Sequence, residues 1–148
     1  MSDESELKKK KSALSKNITL LDSKIKKLEN DIKILKEEIS NLELLVDSIQ
    51  KTIAELKLAS GELNGAGLNF FNVYKSDLAI TKHSELSQYK TDVDNDISSL
   101  EKARDDALKR IEKNKKLLAE KEQELKKLKG ELVNMNSELH GVMNKLGH

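Results

Sequence analysis

An apolar residue recurs along residues 14–56 at alternating steps of four and three, without a miss: Leu14, Ile18, Leu21, Ile25, Leu28, Ile32, Leu35, Ile39, Leu42, Val46, Ile49, Ile53 and Leu56. A mean spacing of about 3.5 residues keeps one narrow stripe of an α-helix turned toward a partner helix, the signature of a coiled-coil seam. A chain built around such a stripe works through helical surfaces. Composition agrees: 36% of residues are charged, 3% are aromatic, and proline, cysteine and tryptophan are absent. That balance fits long helix, with a thin seam in place of a deep interior.

The formal net charge is only +1, with acids and bases interleaved. Interleaving of this kind marks solvated helix faces laced by i,i+4 pairs. Lys8–Lys11 is the one basic block. Nucleic-acid binding or membrane attachment calls for a wider basic face, so neither is expected. Without cysteine there is no disulfide, thiol nucleophile or thiolate-bound metal. No apolar run is long enough to span a bilayer, and no apolar h-region follows Met1, so neither membrane insertion nor a classical signal peptide is expected.

The expected architecture is all-α: a single domain over 1–148, formed by a long antiparallel helical hairpin. Ser2 serves as an N-cap, with Asp3, Glu4 and Glu6 at the positive end of the helix dipole. The first helix is expected over about 3–60. The stretch Gly61-Glu62-Leu63-Asn64-Gly65-Ala66-Gly67 holds three of the six glycines and reads as a turn. A second helix follows over about 68–140, softened or kinked near Gly130 and frayed past Gly141. Its seam has two rows. One is Leu86, Val93, Leu100, Ala107, Asn114, Lys121, Leu128, Met135 and Val142; the other is Ile97, Arg104, Ile111, Leu118, Leu125, Leu132, Leu139 and Leu146. With the turn at 61–67, facing positions have numbers that add to about 128. Lys121 then falls near Leu7, and the second helix overhangs the first by about twenty residues, roughly 30 Å.

Residues 69–81 admit two readings. Phe70, Phe71, Val73, Tyr74, Ile80 and Thr81 favour strands, and a β-hairpin there would give a prefoldin-like chaperone. Leu68, Phe71, Tyr74 and Leu78 also fit one helical stripe, the reading preferred here.

Two features bear on partners. The β-branched row of the first helix (Ile18, Ile25, Ile32, Ile39, Val46, Ile53) takes the a positions and the mostly leucine row the d positions, which suits a parallel homodimer. The second heptad stretch argues for pairing within the chain, favoured by high effective concentration. Apolar residues also stand off the seam: Leu20 and Ile34 at c, Leu45 at g, Leu44 and Leu58 at f. The c and g positions widen the apolar stripe beside the d row, more than a two-helix coil requires. A second copy forming a four-helix bundle, or a groove for a different helix, would use that flank. Leu63, Phe70, Phe71 and Tyr74 would gather at the closed end, as core or as interface anchors.

Catalytic and metal chemistry finds little support. Asp92, Asp94 and Asp96 resemble the start of a calcium loop, but Ile97 stands where glycine is needed and Ala103 where glutamate is needed. His83, His140 and His148 lack ligand spacing. The glycines of 61–67 match no phosphate loop, and no nucleophile with an adjacent base can be assembled. No enzyme activity and no cofactor are expected.

The layout of long helix, Leu63-Asn64-Gly65, and second long helix with aromatics just inside it resembles the Trp-x-Gly superfamily of type VII secretion in Gram-positive bacteria. Leu63 stands where that motif has tryptophan, and Gly65 matches its glycine. Within the superfamily the chain is most similar to the small helical partners of LXG toxins. The resemblance implies a partner or adaptor that binds the helical N-terminal domain of such a toxin and supports its stability, targeting or export. It implies a cytoplasmic protein, or one exported with its partner. A C-terminal Tyr-x-x-x-Asp/Glu export signal is missing: Tyr89 is followed by Val93 at that spacing and Tyr74 by Leu78. A homodimeric coiled-coil scaffold is the other structural reading.

Overall fold

The computed structural model describes the backbone over residues 2–74 and 77–147, and side chains over 3–63 and 84–147. The chain forms two long helices packed against each other as a hairpin: α1, Ser2–Tyr74, and α2, Asp77–Lys145. No strand occurs among the described residues. The helical reading of residues 69–81 therefore stands wherever the backbone is described, and the β-hairpin alternative falls.

Burial follows the heptads. Every α1 seam residue from Leu14 to Leu56 is buried or half-buried, and so is every residue of the two α2 rows. The most deeply placed apolar side chains, Ile25, Ile53 and Val142, remain 4% exposed, and no described side chain is completely enclosed. This is the thin core that a two-helix seam provides.

The hairpin divides by contact into two units. The first comprises residues 1–38 and 114–148; the second comprises 39–113. Leu14, Leu21, Ile25, Leu28, Ile32, Leu35 and Val142 form the buried core of the first unit. Here α1 and α2 run antiparallel, as three ion pairs show: Lys10 to Glu138 at 3.5 Å, Lys36 to Glu122 at 3.6 Å, and Lys121 to Asp31 at 4.0 Å. In the second unit Ile39, Val46, Ile53, Ile97, Ala107 and Ile111 are buried, together with Ser60. There a hydrogen bond from Ser60 Oγ to Asp94 Oδ1, 2.6 Å, crosses between the helices.

These four contacts correct the register. The paired numbers add to 148, 158, 152 and 154, in that order, so the pairing centres near 153 and not near 128. Lys121 accordingly lies beside Asp31 and not beside Leu7. The contact between Lys10 and Glu138 lays the end of α2 along the first turns of α1, which removes the expected overhang.

The position of the turn is corrected as well. α1 continues through Gly61–Gly67 to Tyr74, so the first helix does not end near 60 and Leu63-Asn64-Gly65 is not a turn. Each interior glycine costs a helix about 1 kcal/mol relative to alanine, yet the helix runs on through all three. The three-four frame runs on in sequence through Ser60, Leu63, Gly67, Phe70 and Tyr74, while Ser60 is buried and Leu63 half-buried on the seam side. A Cβ at Gly61 would meet nothing within 4 Å, so packing does not demand glycine there. Likewise α2 passes unbroken through Gly130 and Gly141 and ends at Lys145. Gly147 (φ +79°) supplies the left-handed residue past that end, and its N–H bonds to the Asn144 carbonyl at 3.1 Å, which closes the last turn.

Candidate interaction surface

Heptad positions on α1 carry over to α2 once the register is known. Ile97, Arg104, Ile111 and their row take a; Ala107, Asn114, Lys121 and their row take d. In the first unit Lys10 and Glu138 are then both g positions, and Lys36 and Glu122 both e. One side of the hairpin is a g–g flank next to the d rows, and the other an e–e flank next to the a rows.

Leu20 and Ile34, predicted at the flank beside the d row, are 55% and 46% exposed. The seam is complete without them. Leu117, a g position of α2 and 39% exposed, stands on the same flank at the level of Ile34. The α2 contribution was not read from the sequence. Its signal was present, since Leu117 directly precedes the seam residue Leu118, but assigning it to a side required the register. In the second unit Leu45 is 49% exposed at g, and Tyr89, also at g, is 60% exposed. Leu44, Leu58 and Val133 stand singly on outer faces, and scattered single apolar residues are ordinary on protein surfaces. Leu63 is half-buried on α1. The side chains of Asn64, Phe70, Phe71 and Tyr74, like the surroundings of Gly65, lie outside the described residues, and so does the proposed gathering of aromatics at the closed end.

The polar features sort differently from their sequence expectation. Asp92 and Asp96 are exposed, as a solvated face requires. Asp94 is instead turned toward the seam. Its Oδ1 accepts from Ser60 Oγ at 2.6 Å and its Oδ2 from Lys90 Nζ at 2.8 Å. The bond from Lys90 and then the bond from Ser60 hold the Asp94 carboxyl below its ordinary value; desolvation opposes them, and the Lys90 charge adds the smallest contribution, in the lowering direction. Among the described residues, no three or more His, Asp or Glu side chains stand together as a metal site. Arg104, a half-buried seam residue, satisfies its guanidinium on its own helix through Asp105 at 3.2 Å and Glu101 at 4.0 Å.

The sign of the Asp94 shift fixes a pH dependence. A carboxyl held lower in the folded than in the unfolded chain stabilises the fold above the unfolded value, about 3.9 for aspartate, and loses that contribution as pH falls through the folded value. At neutral pH Asp94→Asn should therefore be less stable than the parent. The gap should narrow once pH drops below the ordinary aspartate range. Urea titrations followed by circular dichroism at pH 7 and in strong acid measure it; a gap equally wide at both would show that the Asp94 charge contributes nothing.

No protein-family model, curated protein or solved structure matches this chain. Among the described residues, no helix is long and apolar enough to cross a membrane.

Proposed function

We propose that this chain is a non-enzymatic helical partner protein, which presents the α1 flank of its first unit, at Leu20 and Ile34, to an α-helix of another protein; Leu45, in the second unit, is a separate candidate contact. The observation that carries the reading is the exposure of these side chains beside a seam already completed within the chain. A coil whose stripe is satisfied gains nothing from apolar residues at c and g unless a further helix covers them. Leu117 extends the same flank onto α2, so a docked helix would lie along both.

The resemblance of the layout to the partners of LXG toxins suggests the identity of that helix: the helical N-terminal domain of such a toxin. The chain would then stabilise or target the toxin for type VII secretion and leave the cell, if at all, in its company. Leu63-Asn64-Gly65 lies inside α1 and not at a turn, so the reading rests on the architecture and the flank. The same exposure suits a second reading, a homodimeric scaffold in which the flanks of two copies cover each other.

Ile34→Asp separates these ideas from folding. At an exposed site the substitution should alter stability by no more than about 0.5 kcal/mol. At the centre of an interface it should weaken binding about tenfold or more. Size-exclusion chromatography with multi-angle light scattering would be run on the chain alone and mixed with an LXG N-terminal domain from the same genome. A discrete mixed complex that Ile34→Asp disrupts is the expected result. A homodimer indifferent to that domain would favour the scaffold, and an unfolded Ile34→Asp would place Ile34 in the core.

A further inference from the structure

Ser60 is the one polar residue among the buried side chains described, at 8% exposure. It occupies the a position that follows Ile53 in the α1 frame. Across from it, Lys90 falls on the a row of α2, seven residues before Ile97, and keeps a side chain only 35% exposed. Asp94 joins them, with both carboxylate oxygens engaged at 2.6 and 2.8 Å. Two seam positions are thus spent on polar groups that meet through one carboxylate.

We propose that Ser60, Asp94 and Lys90 form a register key, which holds α1 and α2 against sliding by a heptad. The need for a key follows from the repetition of the seam. In the first unit the register near 153 sets Leu28 opposite Leu125; a one-heptad slide would set it opposite Leu118, leucine for leucine. From Leu14 to Leu56 the α1 side of every layer is aliphatic, so Arg104, Asn114 and Lys121 face an aliphatic residue before and after the slide. In sequence, Lys75-Ser76 between the helices contains neither glycine nor proline, the residues that favour one turn geometry over others. The polar layer cannot be exchanged in this way. Sliding sets Ser60 opposite Leu86 in one direction and Leu100 in the other, and Asp94 loses its bond from Ser60 in both. Single polar groups at a positions fix register in coiled coils by the same logic, at a cost in stability. Arg104 cannot act as such a key, since its partners lie on its own helix and move with it. The Lys121–Asp31 pair, at 4.0 Å, is the looser counterpart in the first unit.

The absence of cysteine makes the test direct. Nitroxide labels at Ser40→Cys and Thr91→Cys, exposed positions within the second unit, would be separated mainly along the helix axes. A one-heptad slide would change that separation by about 10 Å, from seven residues at 1.5 Å each. Pulsed electron–electron resonance should give a single distance in the parent. With Ser60→Ala, Lys90→Leu and Asp94→Ala combined, which removes the polar groups without orphaning a charge, a second population displaced by about 10 Å should appear. A single, unshifted distance in that variant would overturn the proposal. Should the triple variant lose its helical circular dichroism, Asp94→Asn decides the matter by the same two outcomes.

Discussion

Ile25→Asp should destabilise the chain by about 3–5 kcal/mol at neutral pH, the scale of an unpaired charge placed in a packed seam. Ile25 is 4% exposed, as little as any apolar side chain described. Two losses combine at this site. Burial of an isoleucine side chain contributes about 1.5–3 kcal/mol, and the carboxylate put in its place must either be desolvated or take up a proton. The second route makes the defect pH-dependent in a direction opposite to Asp94. The introduced carboxyl is pushed up by its apolar surroundings, so acidification should relieve part of the penalty. Urea denaturation of Ile25→Asp and Ile34→Asp side by side is the informative measurement. The two substitutions are chemically identical and nine residues apart on one helix, so the difference between them is the difference between seam and flank. Equal destabilisation would mean that the flank at Ile34 is core in solution, and the interaction surface would have to be redrawn.

That contrast also marks what the sequence made legible. The seam of α1 is readable because thirteen consecutive apolar positions obey one spacing, and burial follows them residue by residue. The seam of α2 is readable through Arg104, Asn114 and Lys121 because the frame survives its polar members, all three of which are half-buried. The flank at Leu20, Ile34 and Leu45 is readable because c and g positions follow from the seam by counting. What the sequence hides is the register, since a repeating seam is compatible with several. Three glycines in seven residues are a strong local signal for a turn, and that signal misplaces the reversal by about ten residues. The competing information lies in pairing: a helix that continues past the glycines keeps its frame through Leu63 and lets Ser60 meet Asp94. No local pattern announces that meeting, because Ser60 and Asp94 are 34 positions apart. For the same reason Leu117 could not be assigned to the flank of Ile34, nor Asp94 separated from the solvated Asp92 and Asp96, before the register was known.

The continuity of α1 through the glycines leads to the second large effect. Glu62→Pro should cost about 3 kcal/mol or more, because a proline inside a helix removes one backbone hydrogen bond and drives its ring against the carbonyl four residues earlier, here that of Leu58. The Glu62 side chain is exposed, so its loss alone should change little. Were residues 61–67 a turn, the same proline would be tolerated and could even stabilise it by restricting the unfolded chain. Gly61→Ala gives the complementary sign. Inside a helix, with open space around the new Cβ, it should stabilise by about 1 kcal/mol; in a turn that needs a left-handed residue it should destabilise. Opposite signs at adjacent positions are difficult to produce by any route other than helix continuity. Thermal melts followed at 222 nm, with the parent as reference, read both. A tolerated Glu62→Pro together with a destabilising Gly61→Ala would return the reversal to the glycines, and with it the shorter register near 128. The Ser60–Asp94 bond could not form in that register, so the pair of melts also tests the premise on which the register key stands.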